Sequence, residues 1–237
     1  MTKFLPADPR LYCALDLPSA EQALALVDAL GETISSYKIG LQLLPLGGMD
    51  LAKELKARGK SVFLDFKFHD IDATVEKATR SVAGFGADIL TVHARPHVMS
   101  AAAKGAKGSD LNVIGVTVLT SLDRDDLRAI GYAASAKTLV LRRAAQAVEA
   151  GIDGVVSSPL EAKAIRRAMR KISADKFLIV TPGVRMPGGD AGDQKRIATP
   201  FDAQKNGASH IVVGRPINAA RDPKAAAQAI LRNIAGG

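Results

Sequence analysis

The feature that most constrains this chain is its rhythm. Short β-rich runs alternate with Ala-, Leu- and charge-rich stretches of helical period along nearly the whole length. The first run is Leu11–Leu17 (LYCALDL). Pro18 and Ser19 then lead into a helix, AEQALALVDAL, which stops at Gly31 as a C-cap glycine would stop it. Further strands are predicted at Tyr37–Leu41, Ser61–Lys67, Ile89–His93, Val113–Leu119, Gly154–Ser157, Phe177–Thr181 and His210–Gly214. Helices are predicted over Met49–Arg58, Ala73–Ala83, Val98–Lys104, Thr138–Ala150, Leu160–Lys171, Phe201–Asn206 and Pro223–Ile234. Eight β/α units in 237 residues match an α/β fold of the (β/α)8 TIM-barrel kind. Continuously apolar strands fit a parallel sheet covered by helices. A doubly wound sheet is the alternative; it is disfavoured by the eight units and by the lack of G-x-G-x-x-G at a strand-to-helix turn. With no linker or low-complexity segment, residues 1–237 are expected to form a single domain.

Charge is the unusual part of the composition. Lys and Arg number 32 against 24 Asp and Glu, a net charge of +8. Basic chains meet nucleic acid, anionic lipid or anionic small molecules. Nucleic-acid binding favours basic stripes with stacking aromatics, but this chain has no Trp and only scattered Tyr and Phe. A phosphorylated metabolite is the better expectation, with neither nucleic acid nor membrane as partner. One cysteine, Cys13, cannot form an intrachain bridge and reads as core. The first residues lack the pattern of a secretory signal and no apolar stretch reaches about 18 residues, so the expected location is cytoplasmic.

In a TIM barrel, functional residues stand at the carboxyl ends of the strands. Asp16, Lys38, Asp65, Lys67, His93, Thr120, Ser157, Pro182 and Gly214 all fall at or near such ends. The sharpest local pattern is Asp65-Phe66-Lys67-Phe68-His69-Asp70-Ile71. Residues two apart in a strand share a face, so Asp65 and Lys67 point the same way. Asp16 and Lys38 extend an alternation of sign that offsets the cost of burying each charge alone. A buried ion-pair network that only sets register is the structural alternative; clustered charges at a barrel mouth point instead to chemistry. An ammonium among carboxylates stays protonated, which makes Lys67 a proton donor to a carbanion. A carboxylate beside a substrate carboxylate repels it until carbon dioxide departs. Preorganised electrostatics of this kind favour carbon chemistry without a redox cofactor.

A second pattern lies near the carboxyl terminus: Thr181-Pro182-Gly183-Val184-Arg185, then Gly188-Gly189, Gly192-Asp193-Gln194-Lys195-Arg196, and Gly214-Arg215-Pro216-Ile217. Loops after strands seven and eight of such barrels often hold phosphate through backbone N–H groups. Gly183 and Gly214 permit close approach, and Arg185 and Arg215 offer forked hydrogen bonds to an anion. Other features carry less. His93 and His97 are separated by Pro96 and do not share a helical turn as a metal pair would; His93 reads as satisfying polar groups at a strand end. Ser157-Ser158 reads as a helix cap, and Asp123, Arg124, Asp125 and Asp126 as a solvated loop and helix start.

These residues as a set resemble the orotidine 5′-monophosphate decarboxylase family. Phe63–Thr74 (FLDFKFHDIDAT) is similar to that family's D-x-K-x-x-D-I signature, and the likeness extends to VTVLTS at 116–121, PGVR at 182–185, GDQKR at 192–196 and VVGRPI at 212–217. The resemblance implies decarboxylation of orotidine 5′-monophosphate without metal or organic cofactor, with Lys67 protonating C6 of the pyrimidine. It implies that Asp65 and Asp70 alternate with that lysine, and that Lys38 belongs to the same network. Asp16 and Lys38 would hold the ribose hydroxyls, and Thr120 with Ser121 would face the pyrimidine edge. Gln194 would close over the nucleotide, while Pro182, Arg185, Gly214 and Arg215 would surround the phosphate. It further implies a homodimer in which Asp70, Ile71 and Thr74 reach across to the partner's site. One departure is Asp72-Ala73, where the family usually has Pro-Asn. Two alternatives stay open: a related metal-assisted sugar-phosphate decarboxylase such as one acting on 3-keto-gulonate 6-phosphate, whose second strand would end in Glu rather than Lys38, and a non-catalytic nucleotide-binding regulator. A ribulose-phosphate epimerase would want metal-ligand histidines at several strand ends, and only His93 is well placed.

Overall fold

Eight parallel strands pair in chain order and close into a barrel. The structure, a computed structural model, describes residues 4–188 and 198–236. The strands are β1 (Leu11–Ala14), β2 (Ser36–Gly40), β3 (Ser61–Phe68), β4 (Ile89–His93), β5 (Asn112–Val116), β6 (Gly154–Val156), β7 (Leu178–Thr181) and β8 (His210–Val213). The helices are α1 (Ala20–Leu30), α2 (Gly48–Ala57), α3 (Asp72–Phe85), α4 (Pro96–Ala106), α5 (Arg124–Ala129), α6 (Ala136–Ala150), α7 (Pro159–Lys171), α8 (Pro200–Lys205), α9 (Arg215–Asn218) and α10 (Pro223–Ile234). No described helix is long and apolar enough to cross a membrane.

The helix ends follow from local chemistry. Ser19 accepts a hydrogen bond from the Gln22 N–H and starts α1, and Gly31, at φ 51°, ends it. Ser158 caps α7 in the same way, as expected for the Ser157-Ser158 pair. Pro96, Pro159, Pro200 and Pro223 each open a helix, where a missing N–H costs nothing and φ is already suitable. The acidic run after Ser121 is more ordered than a solvated loop. Asp123 and Asp126 form a reciprocal capping box that launches α5.

Two strands end three residues before their apolar runs do. The predicted strand Leu11–Leu17 leaves the ladder after Ala14, which carries Asp16 into the loop at the barrel mouth. The predicted strand Val113–Leu119 ends at Val116, because its neighbour β6 is only three residues long. The Thr117 N–H and hydroxyl both donate to the Val156 carbonyl, closing the ladder there.

Alternate strand positions face the barrel axis. Tyr12, Ala14, Phe63, Ile89, Ile114, Val180 and Val212 form an interior cluster distinct from the larger core between strands and helices. Tyr12 packs edge-on against Phe63, with ring centroids 5.7 Å apart, and its hydroxyl meets Ser61 Oγ at 2.9 Å. Phe63 stands two residues before Asp65 on β3 and in register with Lys38. Cys13 points into the outer core, where burial pushes its thiol up to about 12. The residue expected to be core is therefore core.

The tightest helix contact is between α3 and α4. A Cβ added to Gly105 would stand 2.4 Å from the Glu76 carbonyl oxygen and 2.8 Å from Thr79 Cβ. Backbone cannot yield as a side-chain tip can, so the glycine sets the approach of the two helices. Gly105→Ala is expected to lower unfolding free energy by about 1–3 kcal/mol through overpacking. Urea titration of the purified variant checks this, and an unchanged midpoint would contradict it.

Candidate active site

The mouth of the barrel is built on three consecutive strands. In register, Lys38 of β2 sits beside Ala14 of β1 and Phe63 of β3, and Gly40 sits beside Asp65. The Lys38 ammonium donates to Asp16 Oδ1 at 3.0 Å and lies 3.6 Å from Asp65 Oδ2. Asp65 Oδ1 in turn lies 2.9 Å from Lys67 Nζ. The charges therefore run Asp16, Lys38, Asp65, Lys67, each beside one of opposite sign. Gly40 makes the geometry possible: a Cβ there would lie 2.9 Å from Lys38 Nζ and 3.0 Å from Asp16 Oδ1.

The second half of β3 is not regular. The β3–β4 register runs Leu64 to Leu90 and then Phe68 to Val92, so Asp65, Phe66 and Lys67 oppose the single residue Thr91. Bulges of this kind re-aim a side chain near a site. Lys67 takes φ 51°, a left-handed conformation uncommon for a residue with a Cβ. The buried Thr91 hydroxyl accepts from the Lys67 N–H at 2.9 Å and donates to Asp65 Oδ1 at 2.9 Å. Burial pushes the Asp65 carboxyl up, but the Lys38 and Lys67 ammoniums, with hydrogen bonds from Lys67 and Thr91, more than offset it. The group is held below the ordinary carboxylate value.

A cavity of about 560 Å³ opens above these charges, a size suited to a small-molecule ligand. Asp16, Lys38, Asp65 and Lys67 line one side of it. Around an eight-strand ring β3 lies opposite β7, and Pro182 and Arg185 line the cavity beyond β7, with Gly214 and Arg215 beyond β8. Arg185 is buried, and its guanidinium donates to the Val184 carbonyl. Gly183 adopts φ 77°, which lets the chain turn at the mouth. The Val184–Ala198 bridge, with the Arg185 N–H donating to the Ala198 carbonyl, joins the two flanks of residues 189–197. Gln194, expected to close over a nucleotide, lies outside the described residues. Thr120 and Ser121 also line the cavity, beyond β5.

Asp70, Ile71 and Thr74 do not line it. Asp70 Oδ1 accepts from the Ile71 N–H at 2.7 Å, and all three side chains face solvent, Ile71 being 71% exposed. Asp72 is the first residue of α3. Proline and acidic residues both suit that position, so the departure from Pro leaves the helix entry intact. His93 differs from its expected role. Its carbonyl accepts from the Arg95 N–H at 2.7 Å, but among the described residues its ring makes no hydrogen bond; the ring packs against that of His69 at 5.1 Å, and the His97 ring lies 6.4 Å from His69's. Burial first, then His69, Arg95, Lys67 and Arg143, depress its pKa. No group of three or more His, Cys, Asp or Glu among the described residues is arranged to hold a metal ion.

Sequence reasoning missed Thr91, Gln42 and Asn218. The last two line the cavity, and Asn218 also donates to the Ala14 carbonyl. The inward position of Thr91 on β4, two residues before His93, was the available signal.

Because the folded state holds Asp65 below its usual pKa, its stabilisation is complete above about pH 4 and disappears as pH falls through the folded value. Asp65→Asn is therefore expected to cost about 1.5–3 kcal/mol at pH 7 and the same at pH 5. Denaturant unfolding of both proteins at the two pH values checks this. A difference already gone at pH 5 would contradict the depressed pKa.

Comparison with known proteins points to one family. A family model described as Orotidine 5′-phosphate decarboxylase / HUMPS family matches residues 9–230. A protein of Caulobacter sp. (strain K31) named orotidine 5′-phosphate decarboxylase is 56% identical over 232 residues, covering 98% of this chain and 100% of that protein. One of the same name from Methylobacterium radiotolerans is 52% identical over 235 residues, covering 99% of this chain and 100% of the relative. The crystal structure of orotidine 5′-phosphate decarboxylase from Lactobacillus acidophilus matches with a TM-score of 0.81 at 37% identity, covering 95% of this chain and 98% of that one. By sequence over nearly its full length and by its barrel, this chain belongs to the Orotidine 5′-phosphate decarboxylase / HUMPS family.

Proposed function

We propose that this protein converts orotidine 5′-monophosphate into uridine 5′-monophosphate and carbon dioxide, a step of pyrimidine biosynthesis. The observation that carries the reading is the Lys67 ammonium, set 2.9 Å from Asp65 at one wall of a cavity whose opposite wall ends in Arg185 and Arg215. The bond from C6 to the carboxylate breaks and its electron pair stays on C6. Lys67 gives its proton to that carbon and regains one from solvent. The Asp65 carboxylate stands where the substrate carboxylate would crowd it, and that repulsion ends with departure of carbon dioxide. Fixed charges that match the developing carbanion, rather than the ground state, lower the barrier.

The remaining roles follow position. In this reading Asp16 and Lys38 hold the ribose hydroxyls, Thr120 and Ser121 face the pyrimidine edge, and Pro182, Arg185, Gly214 and Arg215 surround the phosphate; all of them line the cavity. Gly214 stands at the start of α9, just beyond β8, where barrels of this kind often place phosphate. The reaction asks for no metal and no organic cofactor. Lys38 on β2, facing the cavity, would repel a divalent cation, which weighs against the metal-assisted relatives of the same family.

We also infer a homodimer with shared sites. Asp70, Ile71 and Thr74 are exposed in one chain, next to Lys67 in sequence yet outside its cavity. A second copy would bury them and bring the second carboxylate beside Lys67.

Turnover is followed by loss of orotate absorbance in the presence and absence of chelator. Chelator-independent turnover supports the reading. No turnover by a folded sample sinks it, and metal-dependent decarboxylation of a keto-sugar phosphate would favour the alternative. Lys67→Ala is expected to reduce kcat by at least about 10³-fold while uridine 5′-monophosphate still binds. Loss of product binding in parallel would contradict a proton-transfer role. Mixing inactive Lys67→Ala with inactive Asp70→Ala should restore part of the activity, because one hybrid site regains both groups. Failure to complement, with subunit exchange verified, would argue against shared sites.

A further inference from the structure

We propose that Thr91 is a positioning residue for Lys67: one hydroxyl on β4 holds both the backbone of the catalytic lysine and the carboxylate paired with it. The inference rests on the decarboxylase reading above and goes beyond it, since Thr91 does not line the cavity.

The direction of each hydrogen bond is dictated by chemistry. The Lys67 N–H can only donate, so Thr91 Oγ1 accepts from it. The single proton of the hydroxyl is then directed to Asp65 Oδ1, an ionised acceptor. The same Asp65 Oδ1 receives Lys67 Nζ. Thr91, Asp65 and Lys67 therefore form a closed loop, from hydroxyl to carboxylate to ammonium and back along the lysine to its own N–H.

The loop answers a need created by the strand itself. Three residues of β3 oppose Thr91 alone, so the ladder has no backbone acceptor for the Lys67 N–H. A buried, unpaired N–H is costly, and the left-handed φ of Lys67 persists only where its surroundings over-determine it. The threonine supplies the missing acceptor from a side chain that is fully buried. Without the hydroxyl, the bulge can relax toward an ordinary strand conformation and swing Lys67 Nζ from its place. Asp65 would also lose one of the hydrogen bonds that hold its carboxyl ionised.

The test is Thr91→Val, which keeps shape and removes the hydroxyl, beside Thr91→Ser, which keeps the hydroxyl. In Thr91→Val, kcat is expected to fall roughly 10- to 100-fold, with KM and product affinity within about threefold of wild type. The acid limb of its pH–kcat profile should move to higher pH, because Asp65 becomes easier to protonate. Thr91→Ser should recover most of kcat and the original limb. A Thr91→Val enzyme with wild-type kcat and profile overturns the inference. So does a loss that falls on KM alone, or a Thr91→Ser enzyme as impaired as Thr91→Val. If Thr91→Val does not fold, Thr91→Ala is read on the same measures. Wild-type protein without activity on orotidine 5′-monophosphate would instead overturn the functional reading itself, so the two failures are separable.

Discussion

The site depends on placing two ammoniums and two carboxylates, partly out of water, within a few ångströms of one another. Any one of them alone would be expelled or neutralised. Arranged with alternating sign, Asp16, Lys38, Asp65 and Lys67 support one another, and Lys38 sits between two carboxylates with only 9% of its side chain exposed. Much else at the barrel mouth serves this arrangement. Ala14 and Gly40 are small beside Lys38 and Asp65, Tyr12 and Phe63 close the barrel beneath them, and Thr91 braces the strand that carries Asp65 and Lys67.

The barrel does two further things. It sets Asp65 and Lys67 on β3 half a turn of the ring from Pro182 and Arg185 beyond β7, while Gly214 beyond β8 comes close to Asp16 beyond the neighbouring β1. It also lets the strands differ in length at the mouth. β1 ends early and releases Asp16 toward Lys38. β6 ends early and frees the chain after Val116 to carry Thr120 and Ser121 inward. These endings come from what each neighbouring strand can still pair with, which no single strand's sequence reveals.

The excess of positive charge divides along the same lines. Lys38 and Lys67 are matched by carboxylates and add little net field. Arg185 and Arg215 stand beside the cavity, where an anionic ligand would meet them. Arg166 is structural: its guanidinium donates to the carbonyls of Asp175, Phe177 and Gly207 and to Ser209 Oγ, tying α7 to the turns before β7 and β8. A basic composition therefore need not mark a nucleic-acid surface.

Much was legible in the sequence because its causes are local. Helical period, Ser158 as a cap, Gly31 as a terminator and the eight-fold alternation each depend on neighbours in the chain. The i,i+2 rule also put Asp65 and Lys67 on one face before any contact was known. What only the tertiary structure decided depends on residues far apart in sequence. Thr91 became the acceptor for Lys67 because β4 lies beside a bulged β3, and a register shift is a property of two strands together. Asp70 is an extreme case: its motif is plain in the sequence, yet its side chain lies outside its own chain's cavity. Backbone propensity and spacing act over a few residues, whereas a site is assembled by strand pairing across the barrel.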